Sequence, residues 1–115
     1  MAIHFTTTNP SGLLAAFKKA IDDKKIETWS YDGDGDFTHT PPQWKNQAWL
    51  RPSVTSGLLT LHFLARNDVK TSKEVYAVYH GRFIESMLAH FDEMFGTADA
   101  TALPVVGDRV IARVA

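Results

Sequence analysis

The spacing of apolar residues changes period several times along the 115-residue chain, and each change marks an element. Leu13, Leu14, Phe17, Ala20 and Ile21 recur at helical spacing, with Lys18, Lys19, Asp22 and Asp23 on the opposite side. Asn9-Pro10 supplies the start, because Asn accepts from free amides and Pro is tolerated at the first helical position. Lys24-Lys25 suit the negative end of the helix dipole and place its end there. Residues 3–8, apolar and then Thr-rich, read as an extended lead-in.

The period then shortens to two. Ile26–Tyr31 and Phe37–Thr40 are β-favouring runs on either side of Asp-Gly-Asp-Gly-Asp, which predicts a hairpin. A three-residue loop, Gly33-Asp34-Gly35, puts glycine where the last loop residue must be left-handed. That register sets Tyr31 across from Phe37 and Trp29 across from His39, leaving a polar opposite face. A two-residue turn would instead set Phe37 and His39 on the other side from Trp29 and Tyr31, so the longer loop is preferred. Pro41-Pro42 turns the chain, and Gln47–Arg51 reads as a strand in which Ala48 and Leu50 alternate with Trp49 and Arg51. Pro52 should close that strand, with Ser53–Gly57 as the next turn.

Gly57–Arg66 is the most β-like run and is expected at the centre of a sheet. Leu59, Leu61, Phe63 and Ala65 take one face; Leu58, Thr60, His62 and Leu64 take the other. Glu74–His80 alternates Val75, Ala77 and Tyr79 with Tyr76, Val78 and His80 and reads as a fifth strand, with a helix from Lys73 as its rival. Arg82–Phe95 carries Phe83, Ile84, Met87, Leu88, Phe91, Met94 and Phe95 on one helical stripe, stopped by Gly96. Together these predict an α+β fold: an antiparallel sheet of about five strands in the order α-β-β-β-β-β-α, with both helices on one face. Residues 1–96 form the domain; residues 97–115 are a tail in which Val105–Val114 could add a strand or hairpin or stay partly mobile. Leu58, Leu64, Tyr76 and Val78 would leave an apolar patch on the second face, to be covered by the tail or by a second subunit of a homodimer.

Composition removes several function classes. Hydrophobic residues make up 44% and charged residues 22%, an ordinary globular balance. The net charge is −1, and residues 1–57 carry as many basic as acidic side chains, so no basic stripe marks a nucleic-acid surface. The absence of cysteine excludes disulfides, thiol catalysis and Cys-based metal centres, and fits a reducing, cytoplasmic setting. The first residues lack a basic and apolar leader, and no apolar run approaches the ~20 residues that cross a bilayer.

Candidate chemistry is sparse. Asp32, Asp34 and Asp36 begin like a calcium loop, but Phe37 stands where such a loop needs glycine and Gln43 where it needs glutamate. Turn geometry is the simpler reading. His4, His39, His62, His80 and His90 show no tight ligand spacing, and no nucleotide-binding or serine-hydrolase motif occurs. No catalytic residue, metal or cofactor is therefore assigned. Trp29, Tyr31 and Phe37 follow the alternation of the sheet and belong to the core; Trp44 and Trp49 are expected to be exposed. His39, Trp44, Trp49 and Arg51 are the candidate binding residues. The leading expectation is a non-enzymatic interaction module that binds a protein partner through the Trp/Pro-rich loop and the adjoining sheet face. Its rival is a small enzyme or ligand-binding domain with a pocket lined by Trp29, His39, Trp49, Arg51 and His62.

Overall fold

The computed structural model describes residues 1–110 of the chain. Their elements run β1 (Ile3–Thr6), α1 (Pro10–Asp22), β2 (Trp29–Tyr31), β3 (Phe37–His39), β4 (Ala48–Thr55), β5 (Leu58–Ala65), α2 (Lys73–Phe91) and β6 (Thr97–Ala100). The six strands form one antiparallel sheet in the order β2-β3-β4-β5-β1-β6, with two helices, so the α+β class holds.

The strand count and order differ from the expected α-β-β-β-β-β-α. Residues 3–6 are a strand, not a lead-in: Ile3 and Phe5 pair with Leu61 and Leu59, so α1 connects β1 to β2. Glu74–His80 is helix, not strand. Periods of two and 3.6 both fit so short a run, but the buried positions Tyr79, His80, Phe83 and Met87 follow the helical one. The Ser72 side chain caps this helix by accepting from the Val75 amide, and Glu74 adds a carboxylate near the positive end. The helix ends at Phe91, and Met94, expected in its apolar stripe, is 39% exposed. Strand β4 runs on through Pro52 to Thr55; β3 meets it only at Phe37–Leu50, so Pro52 sits where β4 has a single neighbouring strand. The β4–β5 turn is therefore only Ser56-Gly57, with Gly57 at φ +75°.

The expected hairpin register is present: Trp29 opposes His39, Ser30 opposes Thr38 and Tyr31 opposes Phe37, with Gly35 at φ +82°. Both helices lie on the face that carries Phe5, Leu50, Leu59, Leu61 and Phe63. Phe17 of α1 stacks on Phe83 of α2 at 4.8 Å, and Phe17 also meets Phe37 edge-on at 5.2 Å. Trp29 meets the edges of Phe83 and Tyr79 at 5.1 and 5.6 Å. This aromatic layer glues helices to sheet, since offset and edge-on ring pairs add to simple area burial.

The tail extends the sheet. β6 pairs with β1, and Arg109 bridges to Leu64 beyond the point where β1 stops covering β5. The side chain of Asp108, fully buried, accepts from the Phe63 and Val105 amides at 3.0 and 2.8 Å. Gly107 (φ +103°) lies so close to His62 that an added Cβ would stand 2.6 Å from the imidazole. The tail thus covers part of the second face near β5, the role foreseen for it or for a second subunit. Tyr76 and Val78, being helical, are not part of that face. The expectation of a strand or hairpin up to Val114 falls partly outside the described residues.

Candidate functional site

The acidic hairpin is built by its own carboxylates. Asp32 Oδ1 accepts from the amides of Asp34 and Asp36 at 2.9 and 3.0 Å, and the Gly35 amide donates to the Asp32 carbonyl. These bonds are what an Asp-Gly turn needs, so the turn reading accounts for Asp32. Asp36, only 4% exposed, is held by Arg51 through two parallel bonds, Nε to Oδ1 at 2.9 Å and the terminal guanidinium nitrogen to Oδ2 at 2.8 Å. The Asp36 carboxylate in turn holds the Arg51 pKa above its ordinary value. Oxygens of Asp32, Asp34 and Asp36 come within 4.8 Å of one another, but two of the three carboxylates already have these structural partners.

The same ion pair starts a trough of about 390 Å³ on the sheet face away from the helices. Its floor is Trp49 and Leu64, directly paired across β4 and β5. Arg51, Arg66 and Arg109 line it together with the three hairpin aspartates and Asp68. Arg66 grips Asp68 with two bonds of 2.9 and 2.6 Å, and Arg109 donates to the Ala65 carbonyl at 3.2 Å. The trough is thus an aromatic and aliphatic floor inside a rim of alternating charge. Trp49 is half-buried and Arg51 exposed, and they stand here because Ala48 and Leu50 take the core face.

The other two candidates, His39 and Trp44, lie on the helix side. The loop carrying Trp44 is tied down by Tyr79, whose hydroxyl donates to the Trp44 carbonyl, and by the Asn46 amide bonding Thr38 Oγ1 at 3.1 Å. Trp44 is half-buried against the core, more enclosed than its loop position suggested. His39 is 4% exposed, with its ring tilted on Trp29 at 4.6 Å. Its Nδ1 lies 2.7 Å from the Thr28 carbonyl, an acceptor, so Nδ1 carries the proton and Nε2 the lone pair. Burial pushes its pKa down and the Arg82 charge adds to this, against the Thr28 carbonyl and Glu85, so the ring is neutral at pH 7. A small cavity of about 180 Å³ adjoins it, between Trp44 and Arg82, Glu85 and Ser86 of α2.

The four candidates therefore divide between two faces, and Trp29 and His39 do not share a pocket with Trp49, Arg51 and His62. Of the remaining histidines, His62 stands 3.4 Å from the buried Asp108 carboxylate, which also meets the Met1 amino group at 3.3 Å. His4 pairs with Asp99 at 2.8 Å, His62 lies against Gly107, and His80 has its two ring nitrogens facing the carbonyls of Tyr76 and Met1. Arg66, Asp68 and Arg109 complete the trough without having been singled out in the sequence. Arg66 continues the Thr60, His62, Leu64 alternation and could have been found that way; nothing local marks Arg109 as a neighbour of Leu64. No described helix is long and apolar enough to cross a membrane. No family model matches the chain, and neither curated proteins nor solved structures include a significant match.

Proposed function

We propose that this chain is a protein-interaction module whose contact surface is the outer face of the sheet around Trp49 and Arg51. The observation that carries this reading is the trough itself: a half-buried tryptophan beside an exposed arginine, over Leu64, inside a rim of both charge signs. Tryptophan and arginine contribute most to hot spots, and an apolar centre with a polar rim is the common anatomy of a protein interface. The alternating charges favour a protein segment bearing both lysine or arginine and aspartate or glutamate, with an apolar side chain laid over Trp49. A nucleic acid would meet as much repulsion from the four aspartates as attraction from the three arginines. Trp44 and its proline corner serve the fold, through Tyr79, more than the contact. The setting we infer is the cytoplasm.

The test is quantitative affinity capture with the natural chain, with Trp49→Ala and Arg51→Ala, and with Arg82→Ala on the opposite face as a control. A protein retained by the natural chain and by the control but lost with both outer-face variants supports the reading. Retention unchanged in those variants overturns it. If the captured protein is the chain itself, sedimentation of the free protein will give a dimer that the same variants dissociate.

The rival reading, a small ligand-binding or enzymatic pocket, finds its best support in His39 with its unprotonated Nε2 beside a cavity. At about 180 Å³ that cavity is smaller than the ~300–1,000 Å³ usual for ligand sites.

A further inference from the structure

On the outer face Trp49, Leu64 and Arg109 form a row at right angles to the strands: Leu64 pairs with Trp49 on one side and bridges Arg109 on the other. The hairpin carrying Asp32, Asp34 and Asp36 flanks the same row beyond β4, and all six residues line the trough. Charge is uneven along this line. At the hairpin end three carboxylates meet one guanidinium, Arg51, which is taken by Asp36. Asp34 is exposed and has no cationic partner among the described residues. At the far end Arg66 is neutralised by Asp68. Arg109 is exposed, donates only to the Ala65 carbonyl and has no carboxylate partner among the described residues. The trough therefore has a negative end, an apolar middle and a positive end. From β3 to the tail is three strand spacings, roughly 14 Å at ~4.8 Å each. An extended chain rises ~3.3 Å per residue and turns alternate side chains to one face, so residues i, i+2 and i+4 cover about 13 Å while all facing the sheet.

With the outer face taken as the contact surface, we propose that the trough recognises an extended peptide segment that crosses the strands with the pattern basic–x–apolar–x–acidic. The basic side chain meets the hairpin carboxylates at Asp34, the apolar one lies over Trp49 and Leu64, and the carboxylate pairs with the Arg109 guanidinium. The reversed pattern, laid in the opposite direction, puts the same groups at the same ends. The order of charges is thus what the trough reads, and backbone direction is not.

The test is a titration of the ¹⁵N-labelled full chain with capped pentapeptides at low and at moderate ionic strength. The probes are lysine-alanine-leucine-alanine-glutamate and two like-charged relatives, one with lysine at both ends and one with glutamate at both ends. The mixed peptide should give saturable shifts of the Asp34, Trp49, Leu64 and Arg109 amides. It should bind about two- to fivefold more tightly than either relative, the scale of one exposed ion pair, and added salt should narrow the difference. Arg109→Glu keeps the backbone bonds from that residue to Phe63 and Ala65 and should shift the preference to the peptide with two lysines. A peptide offering its own free C-terminus in place of the glutamate side chain separates the two sources of the carboxylate; the tighter binder identifies the partner of Arg109. Equal binding of the three pentapeptides, or no saturable binding by any, overturns the charge order, and so does a preference that persists in Arg109→Glu. These outcomes leave the contact surface standing wherever Trp49→Ala still abolishes capture. Peptide shifts that Trp49→Ala leaves unchanged would overturn the contact surface as well.

Discussion

Replacing Trp29 by alanine probes the joint between hairpin and helices. Trp29 is 1% exposed and its ring meets His39, Tyr79 and Phe83 with centroids 4.6, 5.6 and 5.1 Å away. The core aromatics Phe17 and Phe37 are already packed against Phe83 and against each other, so neither is free to fill the space. The expected loss is ~3–5 kcal/mol, the usual cost of removing a large aromatic from a packed core. With a urea slope of ~1.5 kcal/mol/M, the unfolding midpoint should fall by about 2–3 M in equilibrium denaturation followed by circular dichroism. A second variant checks the mechanism. Trp29 Nε1–H is buried without a partner among the described residues, so Trp29→Phe removes an unsatisfied donor as well as volume. It should cost clearly less than alanine, about 1–2 kcal/mol. An alanine variant that loses less than ~1 kcal/mol would refute the placement of Trp29 at the centre of the core.

Two further outcomes follow from the same contacts. His39 has a folded pKa below its ordinary 6.5, so the unfolded chain binds more protons in that window and stability should rise with pH. Its contribution is complete above about pH 6.5 and lost as pH falls toward the folded value; buried His80, also shifted down by desolvation, acts in the same direction. Urea midpoints measured from pH 7.5 to 5 should therefore fall, and His39→Phe should flatten the slope; an unchanged slope would contradict the assignment. Gly107→Ala should loosen the tail, because the residue has φ +103° and its new Cβ would strike His62 at 2.6 Å. About 1–3 kcal/mol of local stability is at stake, read as faster hydrogen exchange at the Phe63 and Ala65 amides, which bond Asp108 and Arg109.

The sequence carried the local geometry of this fold better than its connectivity. Aromatic matching and the need for a left-handed glycine set the hairpin register, and two-residue alternation placed Leu50, Leu59, Leu61 and Phe63 inward. Those signals come from neighbours in the chain. β1 was missed because four residues of Ile, His, Phe and Thr have little pattern of their own, and their strand character comes from pairing with β5. The first turns of α2 were ambiguous because Val75, Ala77 and Tyr79 satisfy a strand alternation while Val75 and Tyr79 also satisfy a helical one. Trp49 and Arg51 were legible as outward-facing for the same reason that Leu50 was legible as inward-facing. Their partners were not: the Arg51–Asp36 pair depends on how β3 docks on β4, and Arg109 arrives from a tail far along the chain from Leu64.

The outer face is the centre of the functional account, so capture by Trp49→Ala set against Arg82→Ala tests it most directly. Both side chains are at least partly exposed, so both variants should remain folded, with stability changes near or below ~1 kcal/mol. A partner should bind the natural chain and Arg82→Ala alike and be lost with Trp49→Ala. Binding that survives Trp49→Ala and disappears with Arg82→Ala would move the site to the helix face and contradict it.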